Sequence, residues 1–201
     1  MKIWWIALVT GCVLLSTTLT EAQTPLAQPG ARAIDATIGN EVLQLRYLGA
    51  APPFSGAVGT LDFGALITES REFDASGAWL FDTNFLPLSR LRLQVGPRVD
   101  LAWLETGTKT QVFALGLTVG ARYELIERLG LSAFGSAAYS PGVLTFGSAH
   151  NLYDFTAGAE IKLGGRLYAL AGYRWFKFTL VDEPDERLAN EVFAGVRWQL
   201  E

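Results

Sequence analysis

The sequence is poor in the residues that most catalytic and metal centres use. Its 201 residues contain one cysteine and one histidine, Cys12 and His150. A single thiol closes no intramolecular disulfide, and one imidazole falls short of a zinc ligand set. Charge is sparse as well: Asp, Glu, Lys and Arg together make up 18% of the chain, with a net charge of -4. An acidic chain without a long basic run repels phosphate backbones, so nucleic acid is not an expected partner. The glycines form no phosphate-binding fingerprint. No cofactor and no metal are expected. Beyond residue 31, convincing helical periodicity is also missing.

Half of the residues are hydrophobic, and the mean hydropathy is positive. The start reads "MKIWWIALVTGCVLLSTTLTEAQTP", with Lys2 as a minimal basic end and no further charge until Glu21. Thr20 and Ala22 place small residues at the -3 and -1 positions of a cleavage site. This is the layout of a secretory signal over residues 1–22. The polar residues Ser16, Thr17, Thr18 and Thr20 argue against an uncleaved spanning anchor. "VTGC" (9–12) looks like a lipoprotein box, but apolar Val13-Leu14-Leu15 follow it where a polar stretch is usual. Cleavage after Ala22 leaves an exported chain with no cysteine. Residues 23–31 read as a polar periplasmic lead-in, and 32–201 as one domain.

What fills that domain is alternation with a period of two. In "RLRLQVGPRVDLAW" (90–103), Leu91, Leu93, Val95, Val99, Leu101 and Trp103 share one phase, and Arg92, Gln94, Arg98 and Asp100 the other. Phe113 to Leu125, Tyr153 to Leu163 and Val192 to Leu200 repeat the pattern. Phe193 departs from it by falling in the polar phase.

Nine turn signals delimit ten segments: Gly39-Asn40, "GAAPPFSG" (49–56), "FDASG" (73–77), "PLS" (87–89), "ETGTK" (105–109), "IER" (126–128), "SPGVLTFGSAHN" (140–151), Gly164-Gly165 and "VDEPDERLA" (181–189). Segments 90–104, 110–125, 151–163 and 166–180 reach the roughly 9 to 11 residues that a tilted membrane-spanning strand needs. Counted back from the C-terminus, the connections run long, tight, long, tight, as in outer-membrane barrels. Only the first third breaks the rhythm.

The expected fold is therefore an all-β, closed antiparallel transmembrane up-and-down β-barrel of about ten strands. If 32–48 is one strand, eight is the alternative. Large apolar side chains would face lipid, and small residues and paired ions the lumen. Arg92, Arg98, Asp100, Arg122, Glu124, Asp154, Glu160 and Lys162 would meet inside, four basic and four acidic, as an ion network that plugs the lumen. The competing reading is a soluble sandwich or lipocalin-type barrel with its apolar face inward.

The closing "AGVRWQL" (194–200) resembles the C-terminal signal recognised by the barrel-assembly machinery, through Gly195, Trp198 and Leu200. Leu200 stands where Phe is commoner, and Glu201 follows. Trp79, Phe81, Phe85, Trp103, Tyr123, Tyr139, Tyr153, Trp175 and Trp198 fall largely near segment ends, where interfacial girdles sit. In "LYALAGYRWFKF" (167–178) the lipid-facing phase stays open. Continuing through Gly164-Gly165 turns Tyr173 and Trp175 inward, which a bulge near Gly172 would correct.

"AYSPGVLTF" (138–146), "AGYRWF" (171–176) and "GVRWQL" (195–200) resemble the YfaZ family of predicted outer-membrane proteins, and "AIDATIGNEVLQLRY" (33–47) is similar to that family's opening segment. The resemblance implies a small Gram-negative outer-membrane barrel and no particular reaction. A structural or interaction barrel, not an enzyme and most simply a monomer, is the leading expectation. Its partners would be outer-membrane lipids, lipopolysaccharide and, during insertion, the assembly machinery. A narrow channel for small solutes is the alternative. A third is a lipid-modifying hydrolase using His150 with Ser148 and Asp154. The acidic "DEPDER" (182–187) reads as a solvated loop rather than a cation site.

Overall fold

A segment with period-two patterning becomes a stable strand once its backbone groups are paired, and most of the described residues achieve that. The computed structural model describes residues 32–54, 57–83, 90–105, 110–180 and 184–200. The expected signal peptide, the lead-in and Phe85 lie outside the described residues. In chain order the strands are β1 (Ala33–Ile38), β2 (Val42–Phe54), β3 (Ala57–Thr68), β4 (Phe73–Thr83), β5 (Leu91–Leu104), β6 (Thr110–Ile126), β7 (Leu131–Ser140), β8 (Thr145–Gly147), β9 (Ala149–Gly164), β10 (Leu167–Leu180) and β11 (Glu186–Gln199).

Neighbouring strands pair antiparallel, and β1 pairs with β11, placing Ile34 opposite Trp198 and Ile38 opposite Ala194. The sheet thus closes on itself through the β1–β11 pairing, which covers Ala194–Gln199 of β11. β8 adds no wall position of its own. It pairs with Val112, Phe113 and Ala114 of β6, just as β7 pairs with the stretch from Leu117 onward. β7 and β8 are one strand interrupted by a 3-10 turn at Gly142–Leu144. Among the described residues the molecule is a closed ten-strand antiparallel barrel, with residues 33–38 forming the separate short strand that the ten-strand count needs.

Several connections lie elsewhere than the turn-forming residues suggested. "FDASG" sits inside β4, and the chain reverses one step earlier, where Thr68 N–H donates to the Glu72 carbonyl at 3.0 Å and Arg71 adopts φ 67°. Asp74 and Ser76 are small because they line the interior, not because they turn. The "GAAPPFSG" stretch continues β2 as far as Phe54. The expected long loop at 140–151 is mostly ordered structure, with β9 already begun at Ala149, and β11 begins at Glu186 inside the expected 181–189 loop.

The two faces divide by size. Leu117 is 64% exposed and Val192 69%, and Leu45, Phe63, Val119, Phe155 and Val196 also point outward. Asp35, Asp100, Glu160, Arg174 and Arg197 are buried inside. The soluble alternative, with its bulky apolar phase turned inward all round, does not describe this arrangement. Aromatic contacts gather in two bands. At the end away from the termini, Phe73 meets Trp103 at 5.4 Å, Phe113 meets Phe146 at 5.9 Å, and Tyr153 touches both Tyr139 and Trp175. Toward the termini, Trp79 packs on Phe81 at 5.3 Å, and Tyr123 and Trp198 are exposed.

The open phase of β10 is settled by a register shift between Leu167 and Tyr168, not by a bulge at Gly172. Gly165 turns at φ 51°, and the extra residue puts Tyr168 opposite lumen-facing Lys162 and Ala169 opposite Ile161. Tyr173 therefore faces outward, while Arg174, Phe176, Phe178 and Leu180 face inward.

Candidate functional site: the barrel interior

The interior is layered along its axis, and the layers follow from which inward positions carry charge. Toward the end away from the termini, the inward residues are apolar. Val42, Leu66, Leu104, Val112, Leu152, Phe176, Phe178, Leu180 and Leu188 form one buried cluster with four alanines. Phe178 and Leu152 have no solvent exposure, and the rings of Phe176 and Phe178 lie 5.3 Å apart. A β-bulge across from Phe176 and Lys177 turns both Leu188 and Ala189 into this cluster. Glu72, in the turn between β3 and β4, folds over the same end. Its carboxylate accepts hydrogen bonds from Ser70 at 3.0 Å and Thr68 at 3.4 Å. Burial pushes the Glu72 carboxyl above its ordinary value of 4.5, the Ser70 and Thr68 hydroxyls opposing that shift and nearby Glu186 adding to it.

Below the cluster the inward positions carry charge in matched pairs. Arg98 bridges Asp100 and Asp154, each at 2.7 Å, and its guanidinium lies 5.9 Å from the centre of the Phe176 ring. Nearer the termini, Arg197 grips Asp35 through both Nε and Nη2, and reaches Glu160 at 2.6 Å. Glu160 also receives Arg122 at 2.8 Å. Arg92 forms a two-pronged pair with Asp82, and Arg46 another with Asp62. Forked pairing of this kind satisfies guanidinium and carboxylate together inside a low-dielectric wall.

Six of the eight charged residues singled out by phase occupy these pairs: Arg92, Arg98, Asp100, Arg122, Asp154 and Glu160. Glu124 and Lys162 share the inward phase, nearer the termini, and enter none of these pairs. Phase reasoning passed over Asp35, Arg46, Asp62, Asp82, Arg174 and Arg197. The same alternation marks most of them: Asp35 lies between outward Ile34 and Ala36, and Arg197 between Val196 and Trp198. Arg174 was hidden by the unresolved phase of β10. Phe193 also finds its reason here, because Arg174 sits over its ring at 5.2 Å.

Between the pairs lies a polar cavity of about 150 Å³. Its wall reaches Ala33 and Gln199, the outermost positions of β1 and β11, so it opens toward the termini and ends blindly beneath the apolar cluster. The triad considered around His150 does not assemble. His150 is exposed at the start of β9, Ser148 is exposed in the preceding turn, and the Asp154 carboxylate is engaged by Arg98. Four extended residues place Asp154 on the order of 13 Å from His150. In the acidic loop, Asp185 pairs with Lys177 and Glu186 belongs to β11. Among the described residues, no group of three or more His, Cys, Asp or Glu is placed to hold a metal ion.

Of the proposed assembly-signal residues, Gly195 lies where the closing strands approach most tightly. A Cβ there would come within 2.2 Å of the Ala36 carbonyl oxygen. Trp198 faces outward, and Leu200 N–H donates to the Arg32 carbonyl at 2.7 Å.

A family model described as YfaZ precursor matches residues 76–200. Among solved structures, the chain is similar to the outer membrane channel DcaP of Acinetobacter baumannii, with 8% identity and a TM-score of 0.42. That match covers 90% of this chain and 56% of the channel, so the chain spans little more than half of that protein's length. A structure from work on in-meso crystallization of membrane proteins matches at 12% identity and a TM-score of 0.41, covering 85% of this chain and 83% of the other. No curated protein matches the sequence.

Proposed function

The chain belongs to the YfaZ family, and from that premise we propose that it is a small outer-membrane barrel of structural or interaction type, with a lumen stoppered by apolar side chains and plugged by ion pairs. The observation that carries this reading is the cluster of Phe176, Phe178, Leu152, Leu104 and Leu180 across the full lumen at one end. Ten strands leave an interior that side chains can fill, and here they fill it with groups that exclude water and hydrated ions. The cluster lies at the end opposite the termini. An even strand count puts both termini on one side, and with that side periplasmic, as in outer-membrane barrels, the stopper lies on the extracellular side. The protein acts as a monomer among outer-membrane lipids and lipopolysaccharide, is inserted by the barrel-assembly machinery through its last strand, and catalyses no reaction.

Four measurements test this. The folded protein should migrate differently on a denaturing gel before and after boiling, and should fractionate with the outer membrane. In planar bilayers it should give no steady conductance. Steady, ohmic single-channel steps would overturn the plugged reading in favour of the narrow channel. Under the non-enzymatic reading, His150→Ala leaves the cell's lipid A and phospholipid profiles unchanged.

A further inference from the structure

The arginines that line the polar cavity are not equivalent. Arg46, Arg92, Arg98, Arg122 and Arg197 each bind a carboxylate. Arg174 binds none. It is 4% exposed, stacks over Phe193, and donates one hydrogen bond, from Nη2 to the Gln44 side-chain oxygen. Asp154 and Glu191 attract it electrostatically without hydrogen-bonding to it: Asp154 is paired with Arg98, and Glu191 accepts from the Glu41 N–H at 2.9 Å. A guanidinium carries five N–H donors, so most of those on Arg174 meet no protein acceptor among the described residues.

Its place in the fold shows what the spare donors face. On β10 the inward sequence is Arg174, Phe176, Phe178, Leu180, so Arg174 lies directly beneath the apolar stopper, at the floor of the cavity. Buried N–H donors without acceptors are costly, and a fixed fork of donors at the end of a polar pocket matches a planar or tetrahedral oxyanion. The wall around it is small and hydrogen-bonding, with Thr118, Ser136 and Thr156 among its residues. A volume of about 150 Å³ holds on the order of ten waters, enough for one small anion and part of its hydration shell.

We propose that the cavity is a binding site for a small oxyanion, a phosphate or carboxylate group, which enters from the end carrying the termini and is held by Arg174. This goes beyond the structural role, and its test is separate: conductance probes the stopper, whereas anion binding probes the cavity. The chain, purified from membranes in a maltoside detergent, is titrated calorimetrically at low ionic strength with inorganic phosphate and, separately, with acetate. The expected result is a saturable one-to-one isotherm for at least one of them. Arg174→Gln should weaken it at least about tenfold, and Arg174→Lys by less. A second variant is independent of the buried charge. A Cβ at Gly120 meets no atom closer than 3.9 Å, so the wall has room for a side chain there, and Gly120→Leu should project into the cavity and abolish binding. The proposal is overturned if neither anion gives saturable heat, or if Gly120→Leu binds as tightly as the parent. Should Arg174→Gln lose the heat-shifted band of the folded barrel, the Gly120→Leu result alone decides.

Discussion

At the scale of single residues, stability rests on charges that cannot be removed one at a time. Arg197 holds Asp35 and Glu160 together, and all three side chains are at least nine-tenths buried. Arg197→Ala would leave Asp35 with no cation, facing Glu160, which keeps only Arg122. Breaking a buried pair from one side costs roughly 3–5 kcal/mol. The expected outcome is a lower urea midpoint for unfolding in detergent, or failure to form the heat-shifted band. Glu72 makes the opposite prediction. Its folded carboxyl binds a proton more readily than the unfolded one, so the folded state carries more protons above pH 4.5. Stability contributed by this group is greatest in acid and falls as pH rises through the window between 4.5 and the raised folded value. Glu72→Gln should flatten that slope, leaving the variant at least as stable as the parent at neutral pH. Unfolding midpoints measured across a pH series check this, and a steeper loss toward alkaline pH in the variant would contradict it.

At the scale of strands, most of the pattern could be read directly, and the failures share a cause. β5, β6, β9 and β11 alternate large apolar against small or charged residues, so their faces follow from the sequence. β10 carries aromatics and aliphatics in both phases, because its inner face belongs to the stopper in one half and to the ion pairs in the other. Nothing local distinguishes a Phe that packs inward from one that meets lipid. The residues of "FDASG" misled for a related reason: serine and aspartate serve a turn and a crowded lumen equally well. Crowding is directly visible where Gly158 and Gly172 stand opposite each other in β9 and β10. A Cβ on Gly172 would approach the Ala157 carbonyl oxygen to 2.4 Å and the Phe193 ring to 2.7 Å. Gly172→Val should therefore block barrel formation, read as loss of the heat-shifted band, whereas Ala171→Val, on the exposed neighbouring position, should not.

At the scale of the whole molecule, the apolar belt decides which solvent the barrel lives in. Leu117 is 64% exposed, midway along β6, with Val119 next on the same face. In water, Leu117→Arg would be harmless or solubilising. Near the bilayer midplane it costs about 2–4 kcal/mol. Urea unfolding from lipid vesicles should show a loss of that size, and an unchanged midpoint would argue that this face does not meet hydrocarbon.

What the sequence determined by itself is the period, and with it the strand character and the lipid-facing side of most segments, while the choice of ten strands over eight waited on the separate strand Ala33–Ile38. These are properties of consecutive residues, since side chains one position apart point to opposite faces. Only the tertiary structure decided which charges pair, where the lumen is dry and which cation stands alone. Those outcomes depend on the stagger between strands distant in the chain. Arg197 meets Asp35 across 162 positions and Glu160 across 37, whereas Arg174 hydrogen-bonds only Gln44, across 130, among the described residues.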